Sequence, residues 1–286
     1  MPANAAAQAT GFKIDLMVPT QDYSGEEEVI VSPAAIETRV GLFIGDAIVT
    51  WKEASLTDER APALVVFDLS GTTIQDRGQV PAAFAAAFER AGLRLKAEDL
   101  RAVRGTTKRQ AILNLVCAQD RVERAEHVYQ AFREDLRARY AADGVQPIAG
   151  TLDTFAWLRH HQIRIALTTG FDRDITTMLL TSLGWTNAVA DAIVCGEDVA
   201  HGRPAPDLIL RAMALTMTED VRRVAVVGDT VHDLQAGARA GVRWNIGVLS
   251  GAHDRAALAA APHTHLLGSV ANLPELWPSV VGQSSV

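Results

Sequence analysis

Four short stretches hold the side chains best suited to chemistry. "FDLSGTT" carries Asp68, then Ser70, Gly71, Thr72 and Thr73; "TTG" carries Thr169 and Gly170; "HGRPAP" carries Arg203; "GDTVHD" carries Asp229 and Asp233. Brought together, they would set two or three carboxylates, a hydroxyl and a guanidinium around one small pocket. Carboxylates that close repel one another unless a hard cation lies between them, and Mg²⁺ suits oxygen ligands shared with water and a substrate phosphate. Arg203 and the Thr169 hydroxyl would hold the remaining phosphoryl oxygens. Asp68 would then be placed to attack phosphorus and form an aspartyl-phosphate, an established form of covalent catalysis.

The elements that must position these residues are legible as well. "ALVVFDL" is a continuous apolar run of the kind buried on both faces of a parallel sheet, and "IRIALTTG", "DAIVCGE", "RVAVVGDT" and "RWNIGVLSG" repeat the form. Helical segments such as "TLDTFAWLRHH" and "PDLILRAMALTM" lie between them. Strand and helix alternating at this spacing predict an α/β fold with a doubly wound parallel sheet and its active residues at the carboxyl ends of the strands. Between the first strand and the second the text is amphipathic helix only, which predicts an inserted helical cap over residues 79–147. The catalytic core then comprises 62–78 and 148–275, with a frayed tail over 276–286. Residues 1–61 form an N-terminal extension with two strand-like stretches, "FKIDLMVP" and "VGLFIGDAIVTW", and a linker "SLTDERAP". The extension carries no chemical motif; a small β appendage, an oligomerisation arm and partial disorder all fit its text.

Composition narrows the class. Of 286 residues 48% are hydrophobic and 21% charged, which is ordinary for a globular protein with a sizeable core. A formal net charge of −7 argues against general binding to nucleic acid or to a membrane surface. No apolar run approaches the roughly 20 residues that span a bilayer, and the first residues lack the pattern of a signal peptide. Two cysteines, Cys117 and Cys195, make no disulfide framework and read as core packing, so a cytoplasmic setting is expected. The spacing of His201, His253, His263 and His265 matches no standard zinc pattern.

The four motifs, in this order and with a helical insert after the first, resemble the haloacid dehalogenase superfamily and its Rossmann-like core. "FDLSGTT" and "GRPAP" are similar to the first and third motifs of its phosphonatase branch, the phosphonoacetaldehyde hydrolases and phosphonatase-like hydrolases. "GVLSGAHDRAALAAAPHTHLLGSVANLPEL" is similar to the C-terminal stretch of the latter. The resemblance implies a Mg²⁺-dependent hydrolase acting on a small phosphonate or phosphate ester. Asp68 would be the nucleophile, and Asp68, Asp229, Asp233 and the Ser70 backbone carbonyl would form the metal site, with Asp233 in a supporting place. Arg203, Thr169, Thr72 and Gly170 would surround the phosphoryl group.

Ordinary phosphatases of the superfamily carry a second aspartate where Ser70 stands, and it protonates the leaving alcohol. The phosphonatase branch dispenses with it, because a cap lysine in a G-x-x-K turn forms a Schiff base with the substrate aldehyde. "RGTTKRQAI" places Lys108 three residues after Gly105. Two positions depart from the branch: Arg104 replaces a methionine and Phe171 a tyrosine. Both bear on the substrate, and an arginine beside the lysine favours a further carboxylate or phosphate there. Cap-to-cap dimers in the branch point to a homodimer. Two alternatives stand beside this reading. One is a plain small-molecule phosphatase without Schiff-base chemistry, and the other is a non-catalytic binding protein that keeps the fold.

Overall fold

The structure, a computed structural model, describes residues 41–44, 47–50, 61–116, 121–185 and 189–277. "FKIDLMVP", most of "SLTDERAP", Cys117 and the "GQSSV" tail lie outside them. "VGLFIGDAIVTW" is two strands rather than one: β1 (Gly41–Ile44) and β2 (Ala47–Thr50) pair antiparallel, with Gly41 opposite Thr50 and Ile44 opposite Ala47. In the sequence a Gly-Asp pair, a dipeptide favoured in hairpin turns, divides an otherwise continuous apolar run. This hairpin belongs to a unit separate from the body that begins at Thr57.

The body is built on six strands: β3 (Leu64–Asp68), β4 (Arg164–Thr168), β5 (Ala192–Val194), β6 (Val224–Gly228), β7 (Trp244–Val248) and β8 (His265–Leu267). They run parallel in the order β5-β4-β3-β6-β7-β8. The five strands expected from the sequence are all present. β8 was not expected: three half-buried residues on the sheet edge are too short and too mixed in polarity to stand out.

Every residue of β3, β6 and β7 is buried, as strands covered on both faces must be. Alternation along β3 divides the core. Val65 and Phe67 face one layer with Phe155 and Leu158 of α5 (Thr151–His160) and Ile175 of α6 (Arg173–Ser182). Leu64 and Val66 face the other, with Leu208 and Ala212 of α7 (Asp207–Leu215) and Ala236 of α8 (Val231–Ala240). Register does the positioning: Asp68 pairs with Thr168, and Phe67 with Val227, so the ends of β3, β4 and β6 finish at one edge of the sheet. The chain leaves β3 toward β4 on one side and finds β6 on the other, the crevice where doubly wound sheets place their sites.

Between β3 and α5 the described residues form four helices: α1 (Gln79–Arg90), α2 (Ala97–Ala102), α3 (Lys108–Leu115) and α4 (Arg121–Asp143). In α4 the buried residues Ala125, Val128, Tyr129, Phe132, Leu136 and Tyr140 recur at the spacing of one helical face. That face packs on α1, where Phe84 meets Phe132 with ring centroids 4.6 Å apart. Phe132 is 1% exposed. Phe132→Ala is expected to lower stability by about 3–5 kcal/mol, the cost of emptying a closed aromatic site, read from the midpoint of urea unfolding. An effect below about 1 kcal/mol would mean that the insert does not unfold with the body.

Candidate active site

The carboxyl ends of the strands form the floor of the site. Asp68 closes β3 and Asp229 follows β6, while Asp233 sits in the first turn of α8; all three are buried. Each offers a carboxylate oxygen, and these oxygens lie within 4.8 Å of one another. Arg203, 6% exposed, donates from Nη1 to Asp68 Oδ1 at 2.6 Å and also to Asp233 Oδ1. Asp233 is committed twice over, since its other oxygen accepts from the Thr230 backbone N–H at 3.0 Å in the capping box of α8. That fixes the carboxylate and leaves it to hold Arg203 in place.

Asp229 has a different environment. Its Oδ1 accepts from the Thr72 hydroxyl at 3.2 Å and its Oδ2 from the Ala252 backbone N–H at 2.6 Å, and among the described residues no cation pairs with it. Burial, followed by the nearby charges of Asp68 and Asp233, holds its carboxyl well above the usual carboxylate range. Asp68 is pushed up to about 6, by burial first and then by Asp233, against the pull of Arg203 and Lys108. One guanidinium thus pairs with two of the three buried acids and leaves Asp229 without a cation among the described residues. A donor set of carboxylate oxygens with negative charge in excess fits a hard divalent cation.

The opposite wall comes from the insert. Gly105 turns the chain into α3 with φ +81°, and a Cβ there would lie 2.4 Å from the Thr230 hydroxyl oxygen, so only glycine fits. Gly202 receives Thr107: a Cβ on it would stand 2.3 Å from the Thr107 methyl. The Lys108 N–H donates to the Gly170 carbonyl at 3.0 Å, linking α3 to the loop that carries Thr169. Lys108 is half-buried; its Nζ donates to the Thr106 carbonyl at 3.3 Å and lies 5.1 Å from the centre of the Phe171 ring. Burial lowers its pKa, and Arg203 lowers it further, while Asp68, Asp76 and Asp233 oppose the shift. Lys108 also occupies the first turn of α3, where the positive end of the helix dipole disfavours an ammonium.

A cavity of about 60 Å³ joins the two walls and is lined by Asp68, Ser70, Thr169, Gly170, Arg203 and Asp229 on one side, and by Arg104, Gly105 and Lys108 on the other. The Thr169 hydroxyl accepts from the Phe171 N–H at 3.1 Å. Every residue expected from the sequence therefore lines this cavity, except Thr72 and Asp233, which touch its lining residues from behind.

Sequence reasoning missed three features. The Ala252 N–H on Asp229 is a backbone donor with no residue-type signal. Asp76 lines the cavity from the segment joining β3 to α1. The third is the fastening of α4 to α6, where Asp172 Oδ2 accepts from the Tyr129 hydroxyl at 2.6 Å and forms an ion pair with Arg133, whose Nε lies 2.8 Å away. Asp172 also caps α6, its Oδ1 accepting from the Ile175 N–H at 2.9 Å.

Comparison with known proteins agrees with this fold. A phosphonoacetaldehyde hydrolase of Latilactobacillus sakei is 32% identical over 193 residues, covering 62% of this chain and 72% of its own. One of Hahella chejuensis is 28% identical over 205 residues, 66% of this chain and 69% of its own. Among solved structures, a phosphonoacetaldehyde hydrolase-like protein of Oleispira antarctica shares the fold with a TM-score of 0.67 at 22% identity. That match covers 77% of this chain and 92% of the other. A hydrolase of Pseudomonas syringae superposes with a TM-score of 0.63 at 22% identity, over 74% and 96%. The family model described as haloacid dehalogenase-like hydrolase matches residues 65–246, more than half of the chain, running from within β3 into β7 and including all four motifs. The chain belongs to the haloacid dehalogenase-like hydrolases and is a hydrolytic enzyme.

Proposed function

We propose that the protein is a Mg²⁺-dependent phosphonatase-like hydrolase that cleaves a small phosphonate through Asp68, with a Schiff base at Lys108. One observation carries the reading: the Asp68 carboxylate and Lys108 line the same small cavity from opposite walls. Nothing in a simple ester hydrolysis requires a lysine there. The names of the curated relatives, at about 30% identity, support the same chemistry.

Lys108 acts first. An ordinary lysine is neutral in about one molecule in 2,500 at pH 7, so burial, Arg203 and the helix start must raise that fraction. Neutral Nζ adds to the substrate carbonyl and water leaves, giving an iminium. The Phe171 ring face favours the cationic states of this nitrogen. Asp68 then attacks phosphorus: an O–P bond forms, the C–P bond breaks, and its electron pair flows into the iminium to give an enamine. Carbon leaves without needing an acid at position 70. Protonation of the enamine and hydrolysis of the imine restore Lys108, and water releases phosphate from Asp68. Arg203, tied to Asp233, keeps the attacking carboxylate oriented, while the Thr169 hydroxyl and the Gly170 backbone receive phosphoryl oxygens. Asp68, Asp229 and the Ser70 carbonyl would hold the cation, which when bound offsets the negative charge gathered by the carboxylates and the phosphoryl group.

Borohydride trapping tests the imine. With phosphonoacetaldehyde and borohydride the enzyme should lose activity irreversibly and gain the mass of the reduced adduct on Lys108. Lys108→Ala should escape labelling and release phosphate from phosphonoacetaldehyde at least about 10³-fold more slowly. Turnover of p-nitrophenyl phosphate or acetyl phosphate alone, indifferent to Lys108, would instead identify a phosphatase that uses Asp68 without the lysine.

A further inference from the structure

We propose that the cavity takes a substrate carrying a carboxylate at the end opposite its phosphoryl group, and that Arg104 receives this carboxylate. The inference rests on the assignment of the phosphoryl end to Asp68 and Arg203. Arg104 lines the same cavity from the insert and is half-buried. Its Nη1 donates to the Ala252 carbonyl at 2.7 Å, one use of five guanidinium N–H donors. Among the described residues no carboxylate pairs with Arg104. The other buried or partly buried arginines near the site do have acid partners: Arg203 has Asp68 and Asp233, and Arg133 has Asp172 and Asp174.

The position of Arg104 is fixed. Its own carbonyl accepts from His232 Nδ1, and the turn that follows is set by Gly105 against Thr230. A guanidinium held in this way, lining the cavity with no carboxylate of the described residues in contact, is a receptor for an anion supplied from outside.

The guanidinium fork decides which anion: a planar carboxylate mates with it through two parallel hydrogen bonds. Val80, Phe84, Leu100 and Val103 give the cavity apolar walls, suited to the carbons between the two charged ends. By the imine route the substrate class is a 2-oxo-3-phosphono acid. It consumes one water and yields a 2-oxo acid and phosphate; the C–P electron pair ends on carbon with a solvent proton.

Calorimetry with uncleavable ligands tests this in the presence of Mg²⁺. Phosphonoacetate and 3-phosphonopropanoate are compared with ethylphosphonate and propylphosphonate, for the native protein, Arg104→Met and Arg104→Lys. The carboxylated member of at least one pair should bind the native protein about 10-fold or more tightly than its alkyl partner. Arg104→Met should reduce that preference to about twofold or less while alkylphosphonate affinity stays within about threefold, showing an intact site; Arg104→Lys should fall between. Equal affinity within both pairs, a preference that survives Arg104→Met, or no binding of any of the four ligands would overturn the proposal. Its failure is separable from failure of the catalytic reading. Phosphate release from phosphonoacetaldehyde with indifferent binding removes only the carboxylate site, whereas Arg104-dependent binding without any turnover removes only the phosphonatase assignment.

Discussion

Asp68→Asn is expected to reduce phosphate release by at least about three orders of magnitude, because it removes the nucleophile without removing its shape. Asparagine keeps the volume and one acceptor oxygen for Arg203, and Arg203 keeps Asp233. The same substitution should raise the thermal midpoint of chelator-treated protein at pH 7.5. Asp68 is pushed up to about 6, above its ordinary unfolded value of 3.8. Between those values the folded state holds a proton that the unfolded state has released, so stability falls as pH rises through this window. Above pH 6 the folded protein bears the full cost of a buried anion crowded by Asp233. Asparagine removes that cost. A lower midpoint for the variant at pH 7.5 would show that the Asp68–Arg203 pair is net stabilising and that the burial cost is outweighed.

What the sequence made legible follows from what has a local cause. Asp68 and Thr169 each end or follow an apolar strand, and parallel register alone then brings them side by side, since Asp68 pairs with Thr168. Asp229 and Asp233 share one strand-to-helix turn, so the capping-box spacing Thr230–Asp233 is visible as text. Lys108 was legible only through its turn, three residues after a glycine that the Thr230 contact requires.

Other parts depend on contacts between distant residues. Tyr129 and Asp172 are 43 positions apart, and neither sits in a pattern that predicts the other. Ala252 contributes its backbone, which any residue but proline could supply. α2 and β8 are six and three residues long, below the length at which periodicity distinguishes helix from strand. Arg104 shows the boundary best: its residue type pointed to an anion, but only the structure shows a guanidinium with one carbonyl partner and, among the described residues, no acid.

Arg203→Met should be the most destabilising single change in the site. Arg203 is almost wholly buried between two carboxylates that are themselves buried, and its removal leaves Asp68 and Asp233 facing each other across an apolar side chain. Breaking a buried pair by deleting one partner costs about 3–5 kcal/mol, because the surviving charge keeps its desolvation penalty. Here two charges survive, and protonation relieves them only in part. The loss, read by urea unfolding of chelator-treated protein, should therefore be larger at pH 8 than at pH 5. Arg203→Lys keeps the charge but not a fork wide enough for both acids, and should recover only part of the stability. If Asp233→Asn is added to Arg203→Met, the double variant should be more stable than Arg203→Met alone, since one stranded anion is gone. A double variant less stable than the single one would show that Asp233 contributes chiefly through the Thr230 capping box, and that Arg203 rather than the helix start is the dispensable partner.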